Sequence, residues 1–284
     1  MPWQTVSIGL TIAAIIAILI SAVFATSGHM ESVMVELDEL ISDYENNVGF
    51  QPEGTVTKLE YNGGKKMYVY TPYNFDPVNN YYDVVFAYPC RSAHAKDWLY
   101  REISYYGTTV TGKDILDAGF ASGVFRDNVI FVSLDSYDGS KQMAYDKEYM
   151  YQDLYSGYYA MKEYILDNYA QFNYCDMEWY IFGCSDGGVI ANELGLQSGI
   201  DFKGVGNFSG LCPKLTEDEI MEITDELYYM SGAGVGDFER TQCQKAYNYM
   251  SNKTDATTEF ILIDGHGHSW STWLCLMYLF MLRI

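Results

Sequence analysis

The chain predicts an α/β fold built on a mainly parallel sheet, and three observations carry that prediction. Strand-like and helix-length segments alternate along most of the sequence, the series opens on a hairpin, and a glycine-bracketed serine stands where one strand gives way to a helix. Runs rich in β-branched and aromatic residues, such as "KMYVYTP", "YDVVFAYP", "NVIFVSLD", "MEWYIFG", "FKGVGNFSG", "ELYYMSG" and "TEFILID", read as strands. Between the later ones lie the helix-length segments Tyr149–Tyr169, Gly188–Gln197, Phe238–Met250 and Ser269–Leu282. Such alternation requires right-handed crossovers, and hence a sheet buried on both faces. The opening pair, "TVTKLEY" and "KMYVYTP", reads instead as an antiparallel hairpin. There Asn62-Gly63-Gly64 supplies the positive φ angles of a tight turn.

At 284 residues, 49% hydrophobic and 19% charged, the chain suits one globular catalytic domain with a short appendage. Seventeen Lys and Arg against 38 Asp and Glu give a formal charge of −21, which repels phosphate backbones and excludes nucleic acid as a natural partner. The 27 tyrosines serve equally as core, interface or sugar-stacking residues. Val6 to Phe24 carries no charge and no proline over 19 residues, enough helix to cross a bilayer's hydrocarbon core. It reads either as a signal peptide with a small-residue site at Ala25 or as an uncleaved membrane anchor, and either places the bulk of the chain outside the cytoplasm. The expected division is 1–29 signal or anchor, 30–53 acidic amphipathic helix or stalk, and 54–284 catalytic domain. Six cysteines, Cys90, Cys175, Cys184, Cys212, Cys243 and Cys275, form no C-x-x-C pair, so neither a zinc knuckle nor a thioredoxin motif is supported, and no metal or cofactor is expected. Export permits disulfides without pairing them.

Gly183-Cys184-Ser185-Asp186-Gly187 is a G-x-S-x-G match. A strand-to-helix turn sharp enough to lift a serine hydroxyl above the sheet edge tolerates only small flanking residues. "MEWYIF" before it and "GVIANELGL" after it supply the strand and the helix. A serine nucleophile needs a base, and the histidines are His29, His94, His266 and His268. His268 opens onto the last helix, where Trp270 and Trp273 can hold its loop, and is better placed than His266. The acid is expected after the preceding strand at Asp237, with Glu239 and Asp264 as alternatives; helix N-capping is the structural role Asp237 could fill instead. Two backbone N–H groups must receive an oxyanion: that of Asp186, and one from "FAYPCRSAHAKDW", where Pro89 has none and Cys90 or Arg91 remains. A carboxylate at Asp186 sits awkwardly beside a site that stabilises negative charge, unless it turns away or meets Arg91.

These residues resemble the esterase branch of the α/β-hydrolases that includes feruloyl and acetylxylan esterases, S-formylglutathione hydrolase and mycolyltransferases. "YDVVFAYPCRSAHAKDW" is similar to that family's strand, H-G-x-G-G loop and D-W sequence, and "YMYQDLYSGYYAMKEYILDNY" to its N-aromatic-x-x-D-L helix. "IFGCSDGG" is similar to its G-x-S-M-G-G elbow, "GAGVGD" to its G-x-x-D acid loop and "GHGHSWSTW" to its G-G-H-x-W-x-x-W loop. The resemblance runs from about Thr55 to the end. It implies an α/β-hydrolase fold, a Ser185, His268, Asp237 triad, and a small ester or acylated carbohydrate, carrying acetyl or feruloyl groups, as substrate. Two departures touch the oxyanion hole: the glycine-rich loop reads Pro89-Cys90-Arg91-Ser92-Ala93, and the methionine after the serine is Asp186. The alternatives are an acyltransferase on the same triad, or a binding or scaffold protein in which the altered loop has lost catalysis.

Overall fold

The computed structural model describes residues 30–46, 52–91, 93–105, 108–135, 147–168, 177–264 and 267–284. The Val6–Phe24 segment, Ala25, His29, Ser92, Cys175 and His266 lie outside the described residues. Among the described residues no helix is long and apolar enough to cross a membrane.

Ten strands are formed among the described residues: β1 (Thr55–Tyr61), β2 (Lys65–Thr71), β3 (Asp83–Tyr88), β4 (Ile103–Tyr105), β5 (Thr108–Val110), β6 (Val129–Leu134), β7 (Trp179–Cys184), β8 (Phe202–Phe208), β9 (Tyr228–Gly234) and β10 (Thr257–Ile263). Eight of them make one sheet in the order β1-β2-β6-β3-β7-β8-β9-β10. β2 pairs antiparallel with both β1 and β6, and every later neighbour is parallel. The hairpin turn is where its residues require it, with φ of 39° at Asn62, 74° at Gly63 and 107° at Gly64. β4 and β5 form a separate short hairpin that the sequence reading passed over.

The helices are α1 (Met30–Asn46), α2 (Asp97–Tyr100), α3 (Gly112–Ala121), α4 (Lys147–Asn168), α5 (Asp186–Gln197), α6 (Glu217–Glu222), α7 (Arg240–Lys253) and α8 (Trp270–Met281). Strand side chains alternate between two cores, as the pleat requires. Val85, Ala87, Phe131, Phe182 and Cys184 face α1, α3 and α8. Val84, Phe86, Val132 and Ile181 face α4, α5 and α7. The segment expected as an amphipathic helix or stalk is a helix, and its Val33, Leu37 and Ile41 are buried in the first core. In α4, Asp153 is fully buried and ion-paired to Lys65 at 3.0 Å, with Tyr61 and Asn62 donating to its oxygens, so this helix is keyed to the hairpin.

The chain order positions the site. From β3 the chain steps outward to β6 and then returns across β3 to β7, so connections leave β3 and β7 in opposite directions. Loops at the carboxyl ends of such a pair splay apart and leave a crevice. Cys90 and Arg91 follow β3, and Ser185 follows β7.

Candidate active site

Ser185 sits in the one-residue turn between β7 and α5, at φ 56° and ψ −120°. A non-glycine residue at positive φ costs on the order of 1–3 kcal/mol, so its surroundings must enforce the geometry. They do so through backbone bonds and close packing. Ser185 N–H donates to Phe208 O at 2.8 Å, and Gly188 N–H donates to Ser185 O at 2.9 Å. A Cβ at Gly183 would strike the Gly187 carbonyl, and one at Gly187 would strike the carbonyls of Tyr88 and Pro89. The two glycines of the motif are therefore needed for close approach, and the second one brings the β3 loop against the elbow.

His268 lies between β10 and α8, with Nε2 2.9 Å from Ser185 Oγ and Nδ1 3.1 and 3.2 Å from the two carboxylate oxygens of Asp237. A carboxylate opposite Nδ1 fixes the proton there, which leaves Nε2 as the acceptor for the serine hydroxyl. Phe238 covers the imidazole at 4.4 Å and 30°, and Trp273 meets it edge-on at 5.0 Å and 88°. Thr272 Oγ1 donates to Gly267 O at 2.8 Å and ties the loop to the first turn of α8.

Asp237 stands after β9 with its carboxylate fully buried. Glu239, weighed as an alternative acid, contributes only its backbone here, donating its N–H to Asp237 Oδ1 at 2.8 Å while N-capping α7. Asp264 is the other alternative, and the carboxylate oxygens that meet His268 Nδ1 are those of Asp237. Burial pushes the Asp237 carboxyl upward, but hydrogen bonds from His268, Ser209 and the Glu239 N–H outweigh it and hold the group below the ordinary carboxylate value.

Ser209 is the residue that the sequence reading missed. It follows β8 at φ 54°, its N–H donates to Gly232 O at 2.7 Å, and its Oγ donates to Asp237 Oδ2 at 2.6 Å. Trp273 Nε1–H in turn donates to Ser209 Oγ at 2.9 Å. A hydrogen-bonded chain thus runs from α8 through the ends of β8 and β9 to Ser185. The available signal was "NFSG", a small polar residue directly after a predicted buried strand.

On the other side of Ser185, Arg91 Nε donates to Asp186 Oδ2 at 2.8 Å, so the Asp186 side chain meets Arg91. Asp186 opens α5, where the first N–H groups have no intrahelical acceptor. Ala93 N–H donates to Cys90 O at 3.1 Å and turns the β3 loop back. His94 lies apart from this site, its Nδ1 3.8 Å from Asp135. Among the described residues no group of His, Cys, Asp and Glu gathers that could hold a metal ion.

A cavity of about 550 Å³ opens at the opposite edge of the sheet, between the starts of β7, β8 and β9. Its cationic groups are all ion-paired: Lys203 with Glu226, which also lines it, and Arg126 with Asp83 and Arg283 with Glu259 beyond it.

No family model and no curated protein matches the chain. Solved structures do. The feruloyl esterase module from Clostridium thermocellum, as a mutant complexed with sinapinate, is similar at TM-score 0.67 and 16% identity over 85% of this chain and 90% of that one. A ferulic acid esterase from Anaeromyces mucronatus is similar at TM-score 0.58 and 17% identity, over 84% and 91%. The enterobactin esterase from Shigella flexneri is similar at TM-score 0.57 and 12% identity, over 84% of this chain and 63% of that one. At these identities the likeness is one of architecture: the chain has the α/β-hydrolase fold.

Proposed function

We propose that the protein is an extracytoplasmic serine esterase that hydrolyses carboxylic esters, with acetyl or feruloyl esters of carbohydrate as its substrates. The observation that carries this reading is the unbroken chain from Ser185 Oγ to His268 Nε2 at 2.9 Å and from His268 Nδ1 to Asp237 at 3.1 Å. Ser185 Oγ attacks the ester carbonyl carbon while its proton passes to His268 Nε2. Asp237 stabilises the resulting imidazolium and stays ionised, as its low-lying carboxyl favours. The N–H of Asp186, with that of Cys90 or Arg91, receives the oxyanion. Collapse breaks the ester C–O bond, and His268 gives its proton to the leaving alcohol. A water deprotonated by His268 then attacks the acyl-enzyme, and the second collapse releases the acid and returns the proton to Ser185.

A feruloyl substrate is supported by the esterases that share the fold, whose solved structures carry sinapinate and ferulic acid. Placement outside the cytoplasm is supported by the uncharged Val6–Phe24 run. The decisive experiment is labelling with a fluorophosphonate followed by a panel of acetylated xylan, methyl ferulate and short p-nitrophenyl esters. The protein is expected to label and to turn over, and Ser185→Ala to lose the label and at least about 10³-fold in kcat. Folded protein that takes no label overturns the esterase reading in favour of a binding or scaffold role, which the glycine-poor Cys90-Arg91 loop favours. Alkaline extraction of membranes and N-terminal sequencing test the placement: retention in the membrane marks an anchor, a mature start at Thr26 marks cleavage, and recovery with cytoplasmic protein overturns it.

A further inference from the structure

Two thiols flank the proposed nucleophile. β3 and β7 are neighbours in the sheet, and Tyr88 stands opposite Gly183. Cys184 is the next residue of β7, and Cys90 lies two residues beyond Tyr88 in the loop that presses on the elbow. Strand alternation sends Ala87, Phe182 and Cys184 to the core beneath α8, and Cys90 packs against that same core. Cys90 lies past the end of β3, one position beyond the Pro89 that comes opposite Cys184, and its side chain packs against the core that holds Cys184. Neighbouring strands lie about 4.8 Å apart, which keeps two such positions near the ~4.4–6.8 Å Cα separation that a disulfide spans. Both residues are thiols in the structure, near enough for each to act on the other's titration.

We propose that Cys90 and Cys184 form a redox-sensitive pair that closes to a disulfide on meeting a small-molecule disulfide, and that closure disables the oxyanion loop. The effect on turnover rests on the esterase reading above; the pairing itself does not.

The two thiols differ as an attacking and a resolving sulfur must. Cys90 is half-buried and Cys184 fully buried. The hydrogen bond from Cys184 holds the Cys90 thiol below its ordinary value against the opposing effect of its burial, with the Arg101 charge adding to it. Burial pushes the Cys184 thiol well up. With glutathione disulfide as oxidant, the Cys90 thiolate attacks one sulfur; a Cys90–glutathione bond forms, the glutathione S–S bond breaks and one glutathione thiolate leaves. Cys184 then loses its proton and attacks the Cys90 sulfur, expelling the second glutathione. Two protein thiols are oxidised and one disulfide is reduced to two thiols. Cys212 and Cys243 lack this arrangement, each donating to a carbonyl, of Pro213 and of Gly210.

Closure brings the two sulfurs to an S–S bond of ~2.05 Å. The strand end at Cys184 is held by Ser185 N–H and the elbow, so the Cys90-Arg91 loop is the part that yields. A shift of about 1 Å in a positioned group can cost ~10²-fold in rate. In the placement proposed above, where disulfides persist, such a pair would hold turnover off until a reductant reached it.

The test incubates the full protein with glutathione disulfide, maps cross-linked peptides by mass spectrometry and follows p-nitrophenyl acetate hydrolysis before and after dithiothreitol. Expected are a Cys90–Cys184 cross-link, a fall in turnover of at least about 10-fold, and recovery on reduction. Cys184→Ala and Cys90→Ser, each compared with its own reduced form, are expected to lose this response. Glutathione stably attached at Cys90 with no cross-link overturns the pairing. A mapped cross-link with unchanged turnover overturns the switch. If the reduced protein hydrolyses no ester, the esterase reading fails, while the peptide map still decides the pairing.

Discussion

Arg91 and Asp186 form an ion pair across the two segments proposed to hold the oxyanion, and the balance of their charges is a catalytic matter more than a structural one. The Arg91 side chain is 56% exposed, so the pair contributes little to stability, within about 0.2–1 kcal/mol. Its removal acts at the site instead. In Arg91→Ala the Asp186 carboxylate faces a developing oxyanion uncompensated, and kcat is expected to fall on the order of 10-fold. Asp186→Ala removes the unfavourable charge, and the double variant is expected to recover most of the loss; a double variant as slow as Arg91→Ala refutes the compensation. Ser209 makes a second residue-level prediction. Asp237 has its native pKa below the unfolded value, so its contribution to stability is present above about pH 4 and is lost as pH falls through the native value. Ser209→Ala removes one hydrogen bond from that carboxylate and raises its pKa. The variant is expected to lose about 1 kcal/mol near neutrality, with a Tm deficit that narrows as the pH drops below 4 in parallel unfolding scans. Ser185, His268 and Asp237 were legible because each closes a local pattern at a predicted strand end, in the order that the fold dictates. Ser209 and the thiol contact were not, since both depend on which strands become neighbours. Arg91 meeting Asp186 could be named as one of two outcomes and no further, because the side-chain direction is set by the packing of the loop on Gly187.

At the scale of elements, the turn from β7 to α5 exchanges stability for position. Ser185 is held at φ 56°, a conformation that costs an L residue energy and glycine almost none. Ser185→Gly is expected to abolish ester hydrolysis and at the same time raise stability by about 1 kcal/mol; a lower Tm in calorimetry would show that the turn is unstrained. Gly187→Ala has the opposite expectation. Its Cβ meets the Tyr88 and Pro89 carbonyls, which belong to backbone that cannot rotate away, and the variant is expected to lose several kcal/mol or fail to fold. The long parallel strands and their helices were readable from hydrophobic runs and the glycines between them. The short elements were harder, though two of them carried a written signal. Thr111 with Asp114, and Thr216 with Glu219, form reciprocal capping boxes at the starts of α3 and α6. β4 and β5 hold three residues each, too few to show an alternation, and they form as an antiparallel pair of segments close in the chain.

At the scale of the molecule, α1 joins the part of the chain expected to lie at or in a membrane to the domain that carries the site. Its acidic face answers to solvent, and its apolar face is built into the core: Val33, Leu37 and Ile41 are 1–3% exposed against α3 and α8. Tyr44 Oη–H also donates to Pro52 O at 3.2 Å, tying the helix end to the strand that follows. A free stalk would have left these residues in water and the opposing face of the domain uncovered. If Val6–Phe24 is an anchor, residues 25–29 are all that separate it from α1, and five extended residues reach no more than about 18 Å. The domain would then ride close to the bilayer, with its charge of −21 tending to turn it away from anionic lipid. Fully burying a side chain of this size contributes about 1.5–3 kcal/mol, reduced by the entropy of ordering the helix. Deletion of residues 1–46 is therefore expected to lower the domain's stability by a few kcal/mol, and Leu37→Ala in the full chain by about 2–4 kcal/mol. Val35→Ala, on the exposed face, is expected to change it by less than about 0.5 kcal/mol. Denaturant unfolding of the full chain and the three variants decides the matter: a deletion as stable as the full chain would mean that α1 behaves as a stalk in solution, and a loss shared by Leu37→Ala but not by Val35→Ala would mean that it is part of the domain.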